Sequence, residues 1–182
     1  FVTLTMSAAG SVTVVNPIEW AIRICESIAF SLHCFIGLTE SCHGAMRHVT
    51  ENSINNGCLS NDVFFGLAGL FFGTIAVLNF SSNDDVVLGV QCYIVAFHTG
   101  AIFTHLRVGH HPVVAAVPGV FVVLAFAVLA IRTNMVVAIV GTAVSMVVGI
   151  LFGFVFVKRK EPSSSSSSSQ TLLTPNDERF QD

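Results

Sequence analysis

Charge is what this sequence has least of. Only 10% of its 182 residues are Asp, Glu, Lys or Arg, where soluble domains carry about 25%, and that scarcity argues against a water-soluble fold. Tryptophan and tyrosine occur once each beside 16 phenylalanines, which fits a lipid-facing surface with thin aromatic belts. No basic patch with interleaved aromatics is present and the formal net charge is -3, so a nucleic-acid partner is not expected. The five cysteines (Cys25, Cys34, Cys42, Cys58 and Cys92) contain no C-x-x-C, which removes zinc and thioredoxin-like readings. There is no G-x-G-x-x-G, Walker loop, G-x-S-x-G or H-E-x-x-H, and the loops are too short to build a substrate domain. The chain starts with Phe and its first sixteen residues lack a basic n-region, so a processed or incomplete N-terminus is expected, with no targeting segment in view.

What the sequence does have is apolar length. A spanning helix needs about 20 largely apolar residues, and four stretches supply them: Val63–Phe80, Val86–Leu106, Val113–Ile131 and Met135–Val157. A longer and more polar candidate runs from Pro17 to about Arg47, its start marked by Asn16 as N-cap, Pro17 at the first helical position and Glu19 in the first turn. Polar or turn-forming connections separate the stretches, including "SSNDD" at 81–85, "RVGHHP" at 107–112 and "RTN" at 132–134. The expectation is therefore five spans. Pro118-Gly119 predicts a local kink in the fourth. "KRKEP" ends the fifth, and a serine-rich polar tail, 161–182, follows; such a tail folds only against a partner.

Basic residues orient the bundle. With the N-terminus on side A, side B receives Arg47, Arg107 and Lys158-Arg159-Lys160, whereas side A has Arg132 and the acidic pair Asp84-Asp85. The positive-inside rule then places the 48–62 and 107–112 loops and the tail on the cytoplasmic or matrix side. Asn79-Phe80-Ser81 has the form of a glycosylation sequon, but it lies against the membrane and is expected to be idle.

The first span concentrates its polarity. At seven-residue intervals it reads Glu19, Glu26, His33, Glu40, Arg47, and the interleaved series is Arg23, Phe30, Gly37, Gly44, Glu51. These are the two seam positions of a heptad. Glu26 and Glu40 lie about 21 Å apart along the axis, inside a hydrocarbon core of about 30 Å. A charge at mid-depth costs about 2.5–3.5 kcal/mol on insertion scales, so such residues need internal partners. Span three supplies them at the same spacing with Gln91, His98 and His105. Spans one and three run in the same direction, and the expected rungs are Glu26 with Gln91, His33 with His98, and Glu40 with His105.

Three meanings compete for this seam: hydrogen bonding that only fixes packing, a proton or quinone-headgroup site, and metal or haem ligation by His33 and His98. His33-x-x-x-Gly37 resembles the haem-ligand pattern in the membrane anchors of succinate dehydrogenase, which implies haem b as a possible cofactor. Glu40-Ser41-Cys42-His43 is a single E-x-x-H, and a di-iron bundle needs two with two further carboxylates. Small residues mark other faces: Gly69-x-x-x-Gly73 in span two, and Gly141, Ser145, Gly149 and Gly153 in span five. Such strips let helices approach closely, either within this bundle or onto a neighbouring protein.

The segment "AFHTGAIFTHLRVGHHPVVAAVPGVFVVLAFAVLAIR", Ala96 to Arg132, resembles the DoxX-like membrane proteins. Thr104-His105-Leu106-Arg107 closes a third span, and Ala115 to Pro118 opens a fourth, as in that family. Arg23 and Gly37 are compatible with it. The resemblance covers roughly residues 17–132 and implies a four-helix membrane bundle. It also implies association with quinone-linked oxidoreductases or an assembly or chaperone role, with no transferable catalytic motif. The resulting expectation is an all-α integral membrane protein: an N-terminal segment (1–16), a DoxX-like bundle (17–132), a fifth transmembrane helix (133–160) and a polar tail (161–182). Its expected role is a non-catalytic accessory subunit among partner subunits and bound lipid, in the respiratory chain of the mitochondrial inner membrane. A small redox protein binding haem b or quinone and a membrane-protein assembly chaperone are the rivals.

Overall fold

The structure is a computed structural model that describes residues 4–6, 12–14, 16–43 and 59–156. Arg47, most of the 48–62 loop, the Lys158-Arg159-Lys160 cluster, the tail and the side chain of Glu40 lie outside the described residues. A short antiparallel ribbon, β1 (Leu4–Met6) with β2 (Val12–Val14), pairs Leu4 with Val14 and Met6 with Val12. Among the described residues, everything else with regular structure is helical.

Local chemistry sets several of the helix boundaries. α1 (Pro17–His43) starts as expected: the Asn16 side chain accepts from the Ile18 N–H at 3.0 Å, and Pro17 has no N–H to satisfy. α2 (Asn61–Leu78) is capped by the Ser60 hydroxyl, and α3 (Asp84–Val108) by Asn83, whose side chain takes the Asp85 N–H at 2.9 Å. Gly109, at φ 82°, stops α3 in a left-handed turn that few other residues adopt at low cost. α4 (Pro112–Arg132) opens on a proline after His111, and α5 (Met135–Phe156) follows a two-residue break. α4 runs through Pro118 as one helix.

Four of these helices are long and apolar enough to cross a membrane, over Pro17–Thr39, Asp84–Val108, Pro112–Arg132 and Met135–Val155. The fifth apolar helix is shorter, Asp62–Leu78, or about 25 Å of rise, at the lower end of spanning lengths. Their outer faces are apolar: Ile24, Ile28, Leu32 and Phe35 on α1, Val117 and Val123 on α4, and Val136, Val140, Val144 and Leu151 on α5 are all exposed.

The packing order corrects one expectation. α1 packs chiefly on α2, and α3 on α4 and α5, with lighter α1–α4 and α2–α3 contacts. From α2 onward the connections are short and make neighbours antiparallel, and α1 starts beside the end of α2, where Arg23 meets the Asn79 carbonyl, so the parallel pair α1 and α3 sits diagonally across a four-helix ring. They do not share a backbone interface; they meet only where side chains reach the centre. That centre is filled by Phe30, Ile75, Ala76, Val90, Ile94, Val95 and Ala125, with Phe72, Tyr93, Phe97 and Phe121 against them.

Glycines set two close seams. A Cβ on Gly37 would lie 2.7 Å from the Gly69 Cα, and one on Gly73 would lie 3.0 Å from the Cys34 sulfur. The Gly69/Gly73 strip of α2 therefore docks on α1. A Cβ on Gly149 would strike the Ala96 carbonyl, one on Gly100 would fall 3.0 Å from the Gly149 oxygen, and Gly153 faces Phe103. Ser145 is buried in the same line. Of the two destinations open to the span-five strip, the structure takes the internal one: α5 is clamped to the outside of α3.

Candidate functional site

The polar residues gather at the side-A end of the ring, where α1 begins, α2 ends, α3 begins and α4 ends. Glu19, Arg23, Glu26 and Ser27 face inward from α1, with Asn79 from the end of α2 and Gln91 from α3, and all six are buried. Arg23 is 1% exposed and Glu26 and Gln91 are 0%, so each polar atom must find its partner inside the protein.

Arg23 does so with all three nitrogen positions. Nε donates to the Asn79 carbonyl at 2.5 Å, Nη2 to the Ser81 carbonyl at 2.9 Å, and Nη1 to Glu19 Oε1 at 3.0 Å. The two carbonyls belong to the turn that follows α2, at its C-cap Asn79 and at Ser81, beyond the last helical N–H that could bond them. One arginine thus ties that turn to α1. Its guanidinium also lies 5.2 Å from the Trp20 ring centroid, within cation–π range.

Glu19 is the junction to α4. Arg132 Nε donates to Glu19 Oε1 at 2.8 Å, its Nη2 lies 2.7 Å from the same oxygen, and its Nη1 pairs with Asp84 at the start of α3. Four helices are therefore linked at one level.

Deeper in, the contacts are amide-based. Gln91 Nε2 donates to Glu26 Oε2 and to Asn79 Oδ1, both at 2.9 Å. Asn79 Nδ2 lies 3.2 Å from Glu26 Oε2, 3.2 Å from Ser27 Oγ and 3.1 Å from the Arg23 carbonyl. Ser27 donates to the Ala76 carbonyl at 3.2 Å. Two buried oxygens in this cluster have no protein partner: Glu26 Oε1 and Gln91 Oε1.

Of the three expected rungs, the structure brings together Glu26 and Gln91. His33 and His98 share no hydrogen bond or ring contact among the described residues. His33 is exposed, with Nδ1 2.7 Å from the Ala29 carbonyl, and His98 is buried, with Nδ1 2.9 Å from the Ile94 carbonyl. Phe30 and Phe97 each contact both imidazoles, at centroid distances of 5.1–6.1 Å, and Phe121 stacks on His98 at 4.7 Å. A macrocycle ligated by both histidines would have to displace those phenyl rings, so the residues present do not fit haem there. His105 pairs with His110 beyond the α3 cap, Nδ1 to Nδ1 at 2.8 Å. The Glu40 side chain lies outside the described residues. No group of three or more His, Cys, Asp or Glu suited to a metal occurs among the described residues.

The second rung fails although the seven-residue spacing holds, since Arg23, Phe30 and Gly37 all stay buried at that interval. His33 bonds its own helix at the exposed face, and the rings of Phe30 and Phe97 take the central space against both imidazoles.

Asn79, Ser27 and Arg132 are the members that sequence reasoning missed. Asn79 reads as the head of a sequon, yet its amide is 1% exposed and bonded, so it is closed to modification in the folded protein. Arg132 reads as an orientation marker; that it stands on the side poor in basic residues was the signal of an internal role. Near the opposite face, Arg107 lies 5.8 and 5.4 Å from the ring centroids of Phe103 and Phe154, joining α3 to α5.

Compared with family models, curated proteins and solved structures, the chain finds no match in any of the three.

Proposed function

We propose that this integral membrane protein is a non-catalytic accessory subunit of a larger membrane assembly. The supporting observation is where its polar atoms go. Glu19, Arg23, Glu26, Asn79, Gln91 and Arg132 bond one another at the junction of four helices, while the outward faces carry Ile, Leu, Val and Phe. Polarity is used to hold the bundle's shape, and shape against lipid and neighbouring helices is what an accessory subunit contributes. The shallow groove lined by Pro17, Ile18, Ala21, Ile22, Cys25 and Leu124 is apolar and suits an acyl chain.

The DoxX-like reading of residues 17–132 is kept as part of this proposal, supported by the "THLR" closure of α3 and the proline-bearing start of α4. So is a respiratory-chain setting in the mitochondrial inner membrane, with the 48–62 and 107–112 loops and the tail toward the matrix, for which the distribution of basic residues is the support. The span-five glycine strip does not argue for a partner, because α3 occupies it.

Native electrophoresis after extraction in a mild detergent tests the proposal. The protein should migrate within a complex several times its 19.4 kDa mass. Migration as a lone chain with bound detergent, from membranes where it is expressed at its natural level, contradicts it.

A further inference from the structure

The two orphan oxygens deepen the reading of the polar cluster, independently of any assembly the protein joins. Glu26 Oε1 and Gln91 Oε1 are both acceptors, both buried, and both without a donor. They belong to head groups already joined by the 2.9 Å bond from Gln91 Nε2 to Glu26 Oε2. Buried acceptors are rarely left unsatisfied, and two in one pair of head groups require a donor that the neighbouring protein groups do not supply.

The charges around them point to its nature. On α1, Arg23 gives its donors to Glu19 and to two carbonyls, and Ser27 gives its hydroxyl to Ala76. From α4, Arg132 is taken by Glu19 and Asp84. Two guanidinium groups thus face two carboxylates, Glu19 and Asp84, and that set is balanced without Glu26. The groups bonding Glu26 from α2 and α3 are the neutral amides of Asn79 and Gln91. Among the described residues no cation forms an ion pair with it. Arg23 acts on Glu26 only at longer range, without a hydrogen bond, so an ionised carboxylate there would stand in the bilayer interior without a direct counter-ion.

We propose that Glu26 binds a proton in the folded protein and that this proton closes a reciprocal acid–amide pair with Gln91. Glu26 Oε1–H donates to Gln91 Oε1 while Gln91 Nε2–H donates to Glu26 Oε2. One added hydrogen satisfies both orphan oxygens, leaves the surrounding charge balanced and needs no other ligand. The side-A half of the bundle therefore contains a buried proton-binding site, formed across the diagonal by α1 and α3.

Infrared spectroscopy of the full-length protein in lipid nanodiscs at neutral pH tests this. The wild-type-minus-E26Q difference spectrum should contain one carboxylic-acid C=O band that shifts when glutamate is ¹³C-labelled. Q91L, which removes the acceptor of the Glu26 proton, should move that band to higher frequency. E26Q should melt within a few degrees of the wild type, because its amide reproduces the donor and acceptor of the neutral acid. A difference spectrum with carboxylate bands alone, a band that Q91L leaves in place, an E26Q protein that fails to fold, or a melting temperature that depends on sodium or potassium would each overturn the proposal.

Discussion

One heptad separates two levels of the same core that are held by different forces. At Glu26 the diagonal between α1 and α3 is bridged by hydrogen bonds through Gln91 and Asn79. At His33 and His98 it is filled by the rings of Phe30 and Phe97, and the imidazoles each bond their own helix. The sequence offers the same spacing at both levels. The difference teaches that a polar residue in a span is drawn inward where a partner on another helix receives it. In α1, Glu19, Arg23 and Glu26 have such partners, whereas His33 bonds the Ala29 carbonyl of its own helix.

The contrast can be broken first at Arg23. Replacing it by methionine removes the link between the α2 terminus and α1 and strands the Asn79 and Ser81 carbonyls. Loss of one partner from a buried ionic network costs about 3–5 kcal/mol, and equilibrium unfolding in detergent should show a loss of that size. A smaller effect is expected at the glycine seam. Gly149→Leu forces α5 away from the Ala96 carbonyl, and overpacking of this kind costs about 1–3 kcal/mol. Because α5 sits outside the ring, the variant should expose α5 to protease while the α1–α4 ring stays folded.

Much of the architecture is legible in the sequence. Apolar length gives the helices, Asn16-Pro17 gives the start of α1, and the polar stretches 81–85 and 107–112 give the breaks on either side of α3 through local chemistry that needs no tertiary knowledge. Glu26 and Gln91 are legible as partners because an intramembrane polar residue must find one. What is not legible depends on which helices are neighbours. Spacing treats α1 and α3 as a packed pair, whereas the packing order places them on a diagonal, where only long side chains meet. Asn79 is hidden for a related reason: at the end of a helix it looks like surface, and only the approach of α1 and α3 buries it. The span-five strip announces close packing without naming its partner, and Ala96 and Gly100 become visible as that partner only in the structure.

The central claim is that the diagonal is bonded at the Glu26 level and merely packed at the histidine level. Two double-mutant cycles in detergent, Glu26→Ala with Gln91→Ala and His33→Ala with His98→Ala, test it directly. Interhelical hydrogen bonds in membranes couple by about 0.6 kcal/mol on average and up to about 1.7. The first cycle should fall in or above that range and the second should be zero within error. A coupled histidine pair beside an uncoupled Glu26–Gln91 pair would contradict the claim.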